Sequence, residues 1–496
     1  MTQLFLPIDE FLARPTTPGI PRARQIFCNR NLRMSGIAWV GFDMDYTLAI
    51  YKQQEMDELS VNATLGKLVA RGYPDFVRAM PYNISFPVRG LLIDKRFGHI
   101  LKMNRYKFVT KGYHGLRELA KDELRELYHA KKIRPATPRY HWIDTLYALS
   151  EAALYGALVE AMEQRGIEID YAKAFNDIRE SIDEAHRDGT ILKTVSANFP
   201  RFVDKDHELA PTLHKLRSAG KKLFLLTNSR WSYTSEMMRY LLDGEMSEYP
   251  HWRNYFDIVV VAATKPAFFQ ERLPLMERDG EKLRPATFPL ERGKIYEGGN
   301  LTDLERALGA AGDEVLYVGD HIYGDILRSK KESAWRTAMI IQELQTEVLA
   351  HDSCREDFAL SEYLEDARDR LEDDLRFHQT RYKELSRIIE HGSHKANGVG
   401  VTDADAERGR VKRAIERIRG RLRVVNGELE TIERRIDQRF HPFWGSLLKE
   451  ENEESSFGSQ VEEYACLYTS RVSNFLSYSP QQYFRSPRDE MAHELG

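Results

Sequence analysis

Asp43 and Asp45 stand one residue apart at the end of the apolar run in "GIAWVGFDMDYTLAIYK" (36–52). An ionised carboxylate is costly to bury unless a cation or hydrogen bonds compensate, so this placement asks for a cation. A lone Asp-x-Asp is a weak signal, because it also occurs in chance loops, calcium sites and glycosyl transfer. Three further polar clusters strengthen it: "LLTNS" (225–229), "TKP" (264–266) and "GDHIYGD" (319–325). Together they carry the groups that cleavage of a phosphate monoester needs, namely a nucleophile, a proton donor and a divalent cation. Asp43 can attack phosphorus and form an acyl phosphate. Asp45 can protonate the departing alkoxide and later take a proton from water. Asp320 and Asp325 offer hard oxygen ligands suited to Mg²⁺. Thr227 and Asn228 offer neutral donors to phosphoryl oxygens, and Lys265 a point charge. Taken singly, Thr227 and Asn228 read equally as a turn or helix cap, and Lys265 as a solvated loop residue.

The elements that must position these groups are legible around them. Each cluster closes a short apolar run, at 37–45, 221–229, 255–266 and 313–325. Such runs predict strands covered on both faces in a parallel sheet. Ligands of open α/β sheets bind beyond the carboxyl ends of the strands, so the clusters should meet at one crevice. Roughly 180 residues separate the first run from the second, too many for a crossover. Helical patterns at 141–166 and 171–189 predict a large, mainly helical cap domain in that insert. Beyond 355, Leu364, Leu371, Leu375, Tyr382 and Leu385, then Val411, Ile415, Ile418, Leu422 and Val425, repeat at helical spacing. The Gly-rich stretch 391–403 between them reads as a hairpin loop. Two amphipathic helices lying on the core fit the same pattern.

The bulk numbers exclude some classes. The chain has 496 residues, 42% of them hydrophobic and 30% charged, with a formal net charge of −4. That balance suits a multi-unit soluble protein and gives no broad basic surface for nucleic acid or membrane. The first fifteen residues make a poor signal peptide, and no uncharged run has the length of a membrane span. The three scattered cysteines, Cys28, Cys354 and Cys466, lack metal-ligand spacing. A reducing cytoplasm is the expected location.

The four clusters, in this order, resemble the motifs of the haloacid dehalogenase superfamily. A narrower resemblance rests on "GFDMDYTLAIYK", "FPVRGLLIDKRFGHILKMNRY" (86–106), "TNSRWSYTSEMMRYLL" (227–242), "YFDIVVVAATKPAFF" (255–269), "LYVGDHIYGDILRSKKESAWRT" (316–337) and "FGSQVEEYACLYTSRVSNFLSYSPQQYFR" (457–485). These look like the cytosolic purine 5′-nucleotidase family. The resemblance implies a Rossmann-like core from 25–60 and 200–350, a cap over 61–199, the hairpin over 355–440 and a C-terminal segment, 441–496, packing on the core. It implies Mg²⁺-dependent hydrolysis of IMP, GMP and their deoxy forms, phosphoryl transfer to other nucleosides, and homotetramers or another homo-oligomer.

By motif, Asp43 is then the nucleophile and Asp45 the acid/base, with its carbonyl also on Mg²⁺; Asp320 ligates the ion and Asp325 supports it. Thr227, Asn228, Ser229 and Lys265 hold the phosphoryl group. Arg179 and Asp183, one helical turn apart, select the base, with Asp183 accepting the N1–H of a 6-hydroxypurine. Without the resemblance the same two residues read as a surface ion pair. His186 shares their face, and Tyr147 stands where the family has phenylalanine. Lys193 resembles a substrate-binding lysine, one residue further from His186 than the family pattern. A nucleotide effector site maps to Arg134, Asp144, Tyr323, Lys331, Gln460 and Tyr464, with Asp144 replacing asparagine and Tyr323 phenylalanine. Two alternatives remain open at this level, a phosphatase of another phosphomonoester such as a sugar phosphate, and a non-catalytic scaffold using the hairpin.

Overall fold

The computed structural model describes residues 19–129, 132–310, 312–390, 401–450 and 452–487. It divides into two units, one of residues 1–346 and 447–496 and one of 347–446. The first is built on a ten-stranded sheet. Its centre places β1 (Trp39–Phe42) between β2 (Lys222–Leu226) and a strand at Val315–Gly319, with β3 (Ile258–Val261) beyond β2. The Val315–Gly319 strand is β4. All four run parallel, as do their neighbours Ile295–Gly298 and Arg336–Ile340. The strand Leu467–Thr469, from far along the chain, extends the parallel set beside Arg336–Ile340.

The four expected strands form because their residues are buried on both faces. Every residue of β1, β3 and β4 is buried, and Phe224, Leu226, Val260 and Tyr317 share a core with Trp39 and Trp335. Gly41 is required in β1, since a Cβ there would strike the Phe224 ring. The parallel order brings the carboxyl ends of all four strands to the same edge of the sheet.

The insert is mainly helical, as expected, and also carries a sheet. Beside helices Gln53–Ala70, Leu149–Glu163, Tyr171–Arg187 and Thr190–Ala197 it contains a five-stranded antiparallel sheet. That sheet includes Leu91–Asp94, His99–Met103, Val109–His114 and Tyr140–Ile143. The helix read over 141–166 therefore begins only at Leu149. His141–Ile143 pair instead with Leu91–Ile93, where cross-strand packing overrides local helical character. The helix at 171–189 stands as Tyr171–Arg187, capped by the Asp170 side chain, and buries Phe175, Ile178, Ile182 and Ala185.

In the second unit, helices Arg355–Glu390 and Val401–Phe440 run antiparallel. Leu364 packs with Leu429 and Ile432 at one end, and Leu385 with Ala404, Val411 and Ile415 at the other. Arg381 meets Glu407 at 2.9 Å. Of the stretch read as a loop, 391–400 lie outside the described residues, and Val401 already opens the second helix. The N-terminal fifteen residues also lie outside them. Among the described residues no helix is long and apolar enough to cross a membrane.

Candidate active site

Each polar cluster begins where its strand ends. The Asp43 N–H donates to the Val318 carbonyl and the Thr227 N–H to the Val260 carbonyl, so the sheet's last rungs hold both residues. At the end of β4, Gly319 leaves room for the Asp325 side chain; a Cβ there would lie 2.6 Å from that of Asp325. A π-helical turn, Ile322–Leu327, then carries Asp325 back toward the strand end. Wider helical turns of this kind are frequent at functional sites. Tyr46, Ala262 and Thr264 take left-handed backbone conformations at φ 55°, 47° and 59°. Non-glycine residues there cost of order 1–3 kcal/mol each, and these three flank Asp45 and Lys265.

Asp43, Asp320 and Asp325 bring ligand oxygens within 4.8 Å of one another. Lys265 Nζ lies 2.9 Å from Asp43 Oδ1 and 2.6 Å from Asp325 Oδ1, and it donates to the Tyr317 hydroxyl at 2.9 Å. None of the four charged groups is more than 8% exposed. Burial pushes the Asp43 carboxyl well above its usual range, against Lys265 and with Asp325 and Asp320 adding to it. Burial, then Asp325, pushes Asp320 up to about 7. Lys265 stays protonated, because Asp325 and Asp43 outweigh its own desolvation.

With all three carboxylates ionised, one lysine leaves the cluster two positive charges short. Oxygen donors with that deficit fit a hard divalent ion, so Mg²⁺ suits the residues present. Asp43, Asp320 and Asp325 would hold it. A metal-free sample should therefore lose stability as pH rises from about 4 to 7. In that window folded Asp320 keeps a proton that the unfolded chain has released. Added Mg²⁺ at 100 times its Kd should contribute about 2.7 kcal/mol and flatten that slope. Melting temperatures across pH, with Mg²⁺ or with EDTA, measure both; no Mg²⁺ stabilisation at any pH would remove the ion site.

Asp45 is bonded at both oxygens, by the Tyr51 hydroxyl to Oδ1 and the Ser229 hydroxyl to Oδ2, each at 2.6 Å. Burial raises its carboxyl, and these two donors oppose the rise. Asn228 is tied to the Lys265 backbone: its Oδ1 accepts from the Lys265 N–H at 2.6 Å and its Nδ2 donates to the Lys265 carbonyl at 2.9 Å. Asn228, expected at the phosphoryl group, thus contacts the Lys265 backbone, and Ser229, expected there too, contacts Asp45. Thr227 is fully buried, and its Oγ1 accepts from the Ser229 N–H.

The insert supplies an aromatic wall. The Tyr147 ring meets Tyr46 edge-on at 4.7 Å and His186 at 5.7 Å. Burial holds His186 below its ordinary pKa, against Asp183 and Asp188. Among the described residues no ion pair joins Arg179 to Asp183. Arg179 lies 3.4 Å from His141 Nδ1, and Asp183 is exposed. Lys193 lines a cleft of about 760 Å³ with Ser232, Tyr233, Glu236 and Arg239. The Tyr233 hydroxyl lies 2.8 Å from that of Tyr51.

The proposed effector positions are partly gathered. Lys331 Nζ sits 5.8 Å from the centre of the Tyr464 ring. Gln460 and Tyr464 share the helix Ser456–Tyr464, which packs on the turn bearing Tyr323. Asp144 Oδ2 lies 3.6 Å from His321 Nε2. Burial disfavours charge on His321, but Asp144 outweighs that and holds its imidazole above the usual range. Arg134 is exposed.

Arg89, Tyr51, Tyr233 and Tyr317 did not stand out as site residues in the sequence. Arg89 from the insert donates to the Asp320 carbonyl at 3.1 Å and to both oxygens of Glu343 at 2.8 and 2.6 Å. The one available signal for it was an arginine inside the apolar "FPVRGLLI".

The model of the 5′ nucleotidase family matches residues 26–496. A 5′-nucleotidase domain-containing protein of Dictyostelium discoideum is 27% identical over 484 residues, covering 95% of this chain and 75% of that one. The 5′-nucleotidase domain-containing protein 2 of Homo sapiens is also 27% identical, over 483 residues, covering 95% and 85%. Among solved structures, a predicted phosphoglycolate phosphatase from Haemophilus somnus is 12% identical with a TM-score of 0.27, covering 62% of this chain and 85% of that one.

Proposed function

The chain belongs to the 5′ nucleotidase family, and from that premise we propose that this phosphomonoester hydrolase removes phosphate from purine nucleoside 5′-monophosphates through an aspartyl phosphate on Asp43. The observation that carries the proposal is the meeting of Asp43, Asp320 and Asp325 around one buried lysine.

Among the described residues, Met44 N–H and Lys265 donate to Asp43, both to Oδ1. Oδ2 is left to attack phosphorus. As the Oδ2–P bond forms, the P–O5′ bond breaks and Asp45 gives its proton to O5′. Water then attacks the aspartyl phosphate, Asp45 takes a proton back, and Asp43 is restored as inorganic phosphate leaves. A nucleoside hydroxyl in place of water makes the enzyme a phosphotransferase. Lys265 offsets negative charge on the transferring group. Asp43, Asp320 and Asp325 would hold a magnesium ion, which would supply the remaining charge neutralisation.

Base choice falls to the insert. Asp183 is exposed and unpaired with Arg179, so it remains able to accept the N1–H of hypoxanthine or guanine, whereas adenine presents a lone pair there. Turnover of IMP, AMP, UMP and glucose 6-phosphate tests this reading, with IMP expected to be preferred. Asp183→Ala should narrow the IMP/AMP ratio by roughly 10-fold or more. Equal rates on all four substrates would leave a generic phosphatase, and an unmoved ratio would place base recognition elsewhere.

A cytoplasmic homo-oligomer and an effector site at Tyr323, Lys331, Gln460 and Tyr464 complete the proposal. The contact of Lys331 with Tyr464, close to the turn that carries Asp325, supports that placement of the effector. Intact chemistry at Asp43, Asp45, Lys265 and Asp320 disfavours an idle scaffold.

A further inference from the structure

We infer that Tyr51 is the positioning residue that aims Asp45 at the leaving oxygen, an assignment that rests on the phosphatase reading above. An aspartate carboxyl turns about two side-chain bonds, and one hydrogen bond leaves it free to rotate. Asp45 has a donor on each oxygen, and the two donors come from different parts of the fold. Ser229 belongs to the turn after β2. Tyr51 belongs to the two-residue strand Ile50–Tyr51, which pairs with Val203–Asp204 where the chain returns from the insert.

Tyr51 is itself immobilised. It is 3% exposed, its ring rests against Tyr46 at 4.8 Å, and its hydroxyl meets that of Tyr233 at 2.8 Å. Tyr233 in turn lines the cleft that holds Lys193. The clamp on Asp45 is therefore preorganised, and it sits at the seam between the sheet and the insert. A proton donor misplaced by about 1 Å can cost roughly 10²-fold in rate.

The dependence on leaving group separates aiming from packing. A nucleoside alkoxide cannot depart without the Asp45 proton, whereas 4-nitrophenolate is stable enough to leave without it. The ratio kcat/KM reports the steps up to this first bond cleavage for both esters. Tyr51→Phe should lower kcat/KM for a nucleoside 5′-monophosphate by roughly 10- to 100-fold. For 4-nitrophenyl phosphate it should fall far less.

Equal losses on both esters would make Tyr51 a packing residue and overturn the assignment, as would no loss on either. Where Tyr51→Phe does not fold, as judged by its melting temperature, Tyr233→Phe decides instead. It removes the hydroxyl one step further out, and should show the same split at smaller size; no split there overturns the assignment. Asp43→Asn run alongside keeps two failures apart. If that variant is inactive while Tyr51→Phe shows no split, only the role of Tyr51 is lost; if it stays active, the covalent route through Asp43, on which the reading above rests, is lost.

Discussion

Asp43→Asn should lose roughly 10⁴- to 10⁶-fold in kcat while keeping its fold and its affinity for nucleotide. The amide is nearly the same size as the carboxylate and still accepts from the Met44 N–H and from Lys265, so packing is undisturbed. What disappears is the oxygen that bonds to phosphorus. Replacing it also removes one of three crowded carboxylates, so the metal-free variant should melt no lower than the parent. Rapid quench with labelled nucleotide gives a second readout: the parent should trap label on protein, and the variant should not. Measurable turnover with no labelled protein in the parent would rule out the covalent route.

Lys265→Met should carry the largest structural cost. It leaves Asp43 and Asp325 buried with no cation at 2.9 and 2.6 Å, and breaking a buried pair from one side costs roughly 3–5 kcal/mol. Urea denaturation without metal measures that loss. Activity should fall roughly 10²- to 10³-fold, the usual cost of removing one group that stabilises transition-state charge. The double variant Lys265→Met/Asp325→Asn should recover part of the stability and none of the activity, because it removes the stranded charge without replacing the lysine. If Lys265→Met proves as stable as the parent, the carboxylates carry protons rather than charge, and the case for a divalent ion at this site weakens.

The four motif-bearing strands were legible because each is a local pattern. An uninterrupted apolar run such as "YFDIVVVAA" is costly anywhere but between two covering layers, and the polar residue that ends it must reach an edge. The same local logic exposed the helix at 171–187 through its spacing of apolar residues. It misread 141–148, where strand or helix depended on whether Leu91–Ile93 lay alongside. The insert's sheet had a faint signal in "LLIDKRFGHILKM", two short apolar runs about a glycine turn, but no single run was long enough to decide.

Read alone, the amino-acid sequence determined which residues end the strands, and so that Asp43, Asp45, Lys265 and Asp320 share one end of a parallel sheet; strand pattern and topology suffice for that. Only the tertiary structure decided which oxygen meets which partner. It turned Asn228 onto the Lys265 backbone, gave both oxygens of Asp45 to Tyr51 and Ser229, set Arg89 against the Asp320 carbonyl and left Arg179 unpaired with Asp183. Those choices depend on contacts between segments up to more than two hundred residues apart, where hydrogen-bond geometry over a few ångströms is set by how whole elements pack. No local pattern carries that information.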